Sequence, residues 1–165
     1  FQPWETCMTM GTTWAFNPQE ARWKPPALLL RNLVEVASRG GNLLLNVGPT
    51  PQGTFPPEAI ERMQFIARWM QVNASAVHNT TYAPPVAWQD GRITRVGSQF
   101  FLHVLDWPAG EKLVVAGFEP RVTGATLMNG EVLPFSQHNG ALELTVPPEP
   151  PHPTASVICI HTEEK

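Results

Sequence analysis

The stretch Asn42-Leu43-Leu44-Leu45-Asn46-Val47 is apolar almost without interruption and too short to be a helix. Such a run reads as a strand covered on both faces, the situation of strands in parallel sheets. That reading dictates what must surround it. Upstream, Leu29, Leu30, Leu33, Val34 and Ala37 recur at helical spacing, and Gly40-Gly41 supplies a stop. Pro25 and Pro26 suit a first helical turn, where a missing N–H costs nothing. Downstream, Gly48 to Pro57 is a loop rich in proline and glycine. Glu58 to Val72 then reads as a second helix, with Ile60, Met63, Ala67 and Met70 on one side and Glu58 and Glu61 near the positive end of its dipole. Trp4 to Thr9 is another short β-like run, followed by a polar loop, Gly11 to Asn17. Strand, loop, helix, taken twice, makes two βα units. Two units leave strand edges and an apolar face bare, so this segment needs more of a barrel, or a partner.

The pattern changes near Ala83-Pro84-Pro85. Beyond it only short strands and turns are found. Gly97-Ser98 separates Arg92–Val96 from Phe100–Leu105, and Asn129-Gly130 between Ala125–Met128 and Glu131–Phe135 signals a two-residue type I′ hairpin. His138-Asn139-Gly140 precedes a strand at Ala141–Val146, and Ser156–His161 is the last one. The expected class is therefore α/β followed by all-β, with residues 1–83 as the βα segment and residues 84–165 as an antiparallel sandwich.

Composition limits the partners. Net charge is −3 with no basic cluster, so phosphate-rich nucleic acid is not an expected partner. No apolar run reaches the ~18 residues that cross a bilayer. The start Phe1-Gln2-Pro3-Trp4 has no methionine and no basic segment, which reads as a fragment or a trimmed product without a signal peptide. Cys7 and Cys159 read as two buried free thiols, with a disulfide between the two halves as the alternative. The five histidines show no ligand spacing, so neither a metal nor another cofactor is expected. His103, on a strand, reads as packed or at the surface. Asn73-Ala74-Ser75 and Asn79-Thr80-Thr81 match glycosylation acceptors and are read as chance matches.

Several blocks resemble α-L-fucosidases of glycoside hydrolase family 29. Trp4-Glu5-Thr6-Cys7-Met8-Thr9 with Thr13-Trp14-Ala15-Phe16-Asn17 is similar to the family's W-E-x-C-x-T and S-W-G-Y-N runs. Ser38-Arg39-Gly40-Gly41-Asn42-Leu43-Leu44-Leu45-Asn46-Val47-Gly48-Pro49 is close to S-K-G-G-N-L-L-L-N-V-G-P. Trp69 to Val77 is similar to W-L-x-x-N-G-E-A-I, and Phe101 to Pro108 looks like the family's second domain. Ala15, Phe16, Gln52 and Ala74 depart from the family's residues. The resemblance implies the last two βα units of a (β/α)8-type barrel and a C-terminal β-sandwich. It also implies release of terminal L-fucose from a glycan, by a retaining mechanism without cofactor.

Retaining glycosidases use two carboxyl groups about 5–5.5 Å apart. The family nucleophile is an aspartate on a strand upstream of this segment, and no aspartate precedes Asp90. Glu5 is the one carboxylate of the first segment placed on a strand beside an aromatic residue. The resemblance marks it as a candidate acid/base, against a structural role at the barrel mouth. Glu35, Glu58 and Glu61 fall on helices and read as solvated, and Glu20 on a polar connection. Trp14 sits in a loop after a strand, where the family's matching aromatic packs on the sugar; the alternative is a core tryptophan. Asn46 ends a strand and reads as the holder of the Gly48-Pro49 loop. A lone general acid gives little rate, so a monomer should be weak or inactive. The expected partners are the remainder of the barrel or further copies in a homo-oligomer. A sugar-binding or assembly module without catalysis is the competing reading.

Overall fold

Proline sets both helix starts. Pro25 and Pro56 stand at the N-caps with ψ of 140° and 144°, the extended value forced on a residue that precedes proline. Pro26 and Pro57 then open the helices with φ already helical. The computed structural model describes residues 2–83, 86 and 88–163. Strand β1 (Trp4–Thr9), helix α1 (Pro26–Ser38), strand β2 (Gly41–Asn46) and helix α2 (Pro57–Asn73) follow in order, and α2 runs into a short 3-10 turn, Ala74–Ala76. β1 and β2 are parallel, in register from Trp4↔Gly41 to Thr9↔Asn46. A parallel pair requires a crossover, and α1 provides it. Gly40, at φ +72°, turns the chain out of α1. Gly41 is needed for space: a Cβ there would lie 2.4 Å from the Trp4 ring.

The sheet packs its inner face on the helices. Met8 and Leu45 join Met10, Leu29, Ala59, Met63 and Ile66 in one small core. The other face is bare among the described residues. Leu44 is 43% exposed, and Glu5, Asn42 and Cys7 are exposed with it. The expectation that β2 is covered on both faces is thus corrected: among the described residues one face alone is covered. The same holds for the thiols, since Cys7 is free and exposed while Cys159 is free and buried.

The sandwich is built from β3 (Thr81–Tyr82), β4 (Gly91–Val96), β5 (Gln99–Val104), β6 (Lys112–Ala116), β7 (Val122–Leu127), β8 (Phe135–His138), β9 (Ala141–Thr145) and β10 (Ser156–Thr162). One sheet has five strands in the order β3-β4-β5-β10-β7, the other three in the order β6-β9-β8. Every pairing described in them is antiparallel. Phe100, Leu102, Ile158 and Ile160 face Leu113, Val115, Leu142 and Leu144 in the core between the sheets. The expected division falls on Ala83-Pro84-Pro85, of which both prolines lie outside the described residues. β3, just before it, already pairs with β4.

Three turns carry the glycine chemistry, not all as expected. Asn139 and Gly140 have φ of +52° and +73° between His138 and Ala141, so the type I′ hairpin is here. At Asn129-Gly130 only the glycine has positive φ, +92°. Gly130 N–H donates to Leu127 O and Leu127 N–H to Glu131 O, making a three-residue loop. The strand expected at Glu131–Phe135 reduces to a single bridge, Thr126↔Val132, because the chain crosses to the other sheet. Gly97, at φ +56°, opens the two-residue turn between β4 and β5.

The five-stranded sheet is buried a second time, under α1 and α2. Phe101, Val157 and Cys159 pack on Leu30, Val34, Trp69 and Ala76. Trp69 is 1% exposed, and its Nε1 donates to Ala155 O at 2.7 Å. This anchor rotates α2 from the expected face: Ala59, Trp69 and Asn73 are buried, while Ile60 and Ala67 are exposed. Glu35 is not simply solvated either. It bridges Arg39 at the C-cap of its own helix and Arg92 on β4. Burial pushes its carboxyl up, but the bonds from Arg92 and Arg39 outweigh this and hold it below its ordinary value. His103 is fully buried beside Trp69, their ring centroids 6.2 Å apart. Thr94 Oγ1 donates to Ala76 O at 2.7 Å, so the His103 Nε2–H donates to Thr94 Oγ1 at 2.9 Å. Nδ1 is left buried without a partner among the described residues.

Two outcomes follow from this interface. Trp69→Phe removes the donor to Ala155 O and opens a void, so the unfolding free energy should fall by about 2–3 kcal/mol in a denaturant titration. Burial depresses the His103 imidazole from 6.5 to about 4. Below pH 6.5 the unfolded chain takes up a proton that the folded chain refuses. Stability should therefore drop as pH falls through this window, by up to about 3 kcal/mol, and level off below it. His152, also depressed by burial, adds to the same trend. His103→Leu should flatten most of the slope in thermal midpoints measured between pH 7 and 4.

Candidate functional site

The C-terminal ends of β1 and β2 lie side by side at Thr9↔Asn46. Two loops leave this edge, residues 10–25 and residues 47–56. In parallel βα architectures such an edge collects functional side chains, because the connections there are free of the hydrogen-bond ladder.

The first loop is cross-braced. Thr9 Oγ1 donates to Thr13 O at 2.9 Å, and Thr13 Oγ1 to Ala15 O at 2.9 Å. Lys24 Nζ donates to Thr9 O at 2.7 Å and to Gly11 O at 2.6 Å. Asn46 Nδ2 donates to Trp14 O at 2.8 Å, so Asn46 holds the Trp14 loop, not the Gly48-Pro49 loop. Gly48 lets the two loops touch: a Cβ there would lie 2.4 Å from Phe16 N. On this frame the Trp14 side chain is 54% exposed at the sheet edge. It is not a core tryptophan within this chain.

Glu20 is the carboxylate of this edge. It accepts from Thr12 N, Thr12 Oγ1 and Arg22 N. The Thr12 hydroxyl, then the Thr12 and Arg22 amides, hold its pKa down to about 2. An anion so held accepts hydrogen bonds and has no proton to give near neutral pH. No sequence motif flagged it, because its partners are mostly backbone groups.

Glu5 lies elsewhere. It pairs with Asn42 near the start of both strands, four positions before Thr9. At ~3.3 Å per residue that is about 13 Å from the edge that carries Trp14. Alternation also puts Trp4 on the opposite face from Glu5. The Trp4 ring packs at Gly41 and its Nε1 donates to Arg39 O at 3.1 Å. The chain thus does not bring Glu5 and Trp14 together.

The recess at the edge, between Met10, Trp23, Phe16 and Gly48, measures about 20 Å³. That holds roughly one water and no sugar. A larger open cleft of about 820 Å³ runs along the end of the sandwich, between Arg95, Phe100, Phe118 and Arg121. Of residues 1–83, Ala83 alone among the described residues lines it. The edge is the site favoured here, because it is where the braced loop and the exposed indole meet. Among the described residues no group of three or more His, Cys, Asp and Glu could hold a metal, and no helix is long and apolar enough to cross a membrane. Asn73 is buried, with its Nδ2 donating to Trp69 O, whereas Asn79 is exposed at φ +59°.

Comparison with known proteins converges on one family. Residues 1–75 match the family model described as alpha-L-fucosidase. An alpha-L-fucosidase of Branchiostoma floridae is 33% identical over 140 residues, covering 80% of this chain and 31% of that protein. Human plasma alpha-L-fucosidase is 31% identical over 134 residues, 74% of this chain and 28% of that protein. Among solved structures, alpha-L-fucosidase isoenzyme 1 from Paenibacillus thiaminolyticus aligns with a TM-score of 0.90 at 28% identity, over 98% of this chain and 40% of that one. The Thermotoga maritima alpha-fucosidase in complex with fucose aligns with a TM-score of 0.83 at 29% identity, over 96% of this chain and 40% of that one. The chain spans about a third of the curated relatives and 40% of these solved chains. In sequence and in fold, the chain is similar to a segment of α-L-fucosidases.

Proposed function

We propose that the chain is the C-terminal part of a retaining α-L-fucosidase that releases terminal L-fucose from glycans. In this reading residues 1–83 form the last two βα units of a (β/α)8-type barrel, and residues 84–165 its sandwich domain. The observation that carries it is the parallel β1–β2 pair, with one face covered by its own helices and the other bare. Such a pair is what remains when neighbouring strands of a barrel are taken away. The likeness of nearly the whole chain to part of solved fucosidases supports it.

The chemistry follows from what the chain has and lacks. A retaining enzyme needs a nucleophile and an acid/base. No aspartate precedes Asp90, and the Asp90 carbonyl is tied to the Leu105 and Asp106 amides in the sandwich. The nucleophile therefore comes from outside these residues. Trp14 supplies an apolar wall for the C5 methyl side of fucose. Glu5 is the only carboxylate on a strand of the first segment, yet its distance from the edge favours a structural role. Two carboxyl groups suffice for the reaction, so no metal or organic cofactor takes part in it. The partners are a fucosylated glycan and the remainder of the barrel, or further copies of the chain that cover the bare sheet. The alternative is a non-catalytic carbohydrate-binding or assembly module derived from a fucosidase; the recess of about 20 Å³ favours its assembly form.

The two readings separate by assay. The isolated chain should hydrolyse an aryl α-L-fucoside weakly or not at all, and the chain supplied with the missing strands should release L-fucose with retention. Full activity in a dilute, demonstrably monomeric sample would contradict the proposal. In the active form, Trp14→Ala should raise KM about tenfold, the worth of one aromatic contact. Glu5→Gln should leave kcat within about threefold, whereas loss of a general acid costs roughly a hundredfold or more.

A further inference from the structure

One carboxylate ties both ends of the loop that carries Trp14. Glu20 Oε2 accepts from Thr12 N at 2.7 Å and from Thr12 Oγ1, two residues before Trp14. Glu20 Oε1 accepts from Arg22 N at 2.8 Å, where the chain turns back toward α1. All three partners are donors, so the position calls for a group that only accepts. Glutamine would turn one oxygen into an NH2 facing a donor. Gly11 completes the arrangement. A Cβ there would lie 2.7 Å from Glu20 Oε2, and its φ is not in the left-handed region, so the glycine makes room for the carboxylate.

We propose that Glu20 is the positioning residue of this edge: through Thr12 it fixes the loop so that the Trp14 indole stands as a rigid platform for the sugar. The sugar part of this rests on the fucosidase reading above. An exposed side chain on a loose loop must be ordered when ligand arrives, which weakens binding. Here the backbone around Trp14 is held beforehand, by Glu20 from Thr12, by Thr9 at Thr13 and by Asn46 at the Trp14 carbonyl. Glu20 touches no reacting atom in this scheme and acts only through Trp14. The carboxylate stays anionic well below neutral pH, so the clamp does not switch across an ordinary working range.

The test is a double-substitution cycle in the active, complete fucosidase that carries this segment. Glu20→Gln should raise KM for an aryl α-L-fucoside about tenfold with kcat within about twofold. Gly11→Ala, which keeps the charge but displaces the carboxylate, should do the same. In a Trp14→Ala background neither substitution should raise KM further. Additive effects, or a fall in kcat at unchanged KM, would overturn the positioning role. Amide hydrogen exchange on the 165-residue chain separates the clamp from the reading beneath it. The Thr12 and Arg22 amides should exchange at least about tenfold faster in Glu20→Gln. Unchanged exchange would overturn the clamp itself. Faster exchange with no fucoside hydrolysis by the complete wild-type protein would sink the fucosidase reading and the sugar role with it, leaving the clamp standing.

Discussion

The five-stranded sheet has no face left for water at its centre, and everything else is arranged around that. Along β5, Phe100 and Leu102 point into the sandwich while Phe101 and His103 point under the helices. Along β10, Ile158 and Ile160 take the first direction, Val157 and Cys159 the second. A sheet buried twice must satisfy its polar groups internally, because water cannot reach them. The Thr94, His103 and Ala76 contacts and the Trp69 bond to Ala155 do this at the helix–sheet junction, with His103 Nδ1 the exception there. They fix α2, while Leu30, Val34 and the Glu35–Arg92 pair fix α1, and the two helices together fix the β1–β2 pair. The position of Trp14 at the far edge is thus inherited, through three layers, from the sandwich.

The same logic leaves β1 and β2 half-dressed. Their inner face has Leu29, Ala59 and Met63 against it, while Leu44 on the other side is 43% exposed. In the proposed reading this face is where the remainder of the barrel packs. The loops at the strand ends are different, since their polar groups are tied within the chain by Lys24, Asn46 and Glu20. The segment therefore carries a braced rim beside a sheet face that is bare among the described residues.

Much of this was legible in the residues. The apolar run at Leu43-Leu44-Leu45, the face of α1 and its Pro25-Pro26 start follow from period and backbone chemistry alone, whereas Pro57 reads as loop in the sequence and opens α2 in the structure. The rotation of α2 was not, because a single long-range bond from Trp69 outweighs the local pattern of Ile60 and Ala67. The dipeptide Asn-Gly occurs twice with opposite outcomes. At Asn139-Gly140 both residues enter the left-handed region; at Asn129-Gly130 only the glycine does, since the chain leaves its sheet there. The candidate site shows the same division. An aromatic residue in a loop after a strand marked Trp14, but nothing local marked Glu20, whose three donors belong to Thr12 and Arg22. Glu5 stood out by residue type and neighbour, and its place along β1 separates it from the edge.

The central claim is that these residues form the wall and rim of a retaining fucosidase whose nucleophile lies elsewhere. Covalent trapping tests it most directly. A fluorinated fucoside with a good leaving group, reacted with the complete active protein, should arrest the glycosyl-enzyme intermediate on one carboxylate. After digestion, mass spectrometry should place the label on a peptide outside these 165 residues and leave every peptide of this chain unmodified. A stoichiometric label on any carboxylate within the chain, Glu5 and Glu20 included, would contradict the claim.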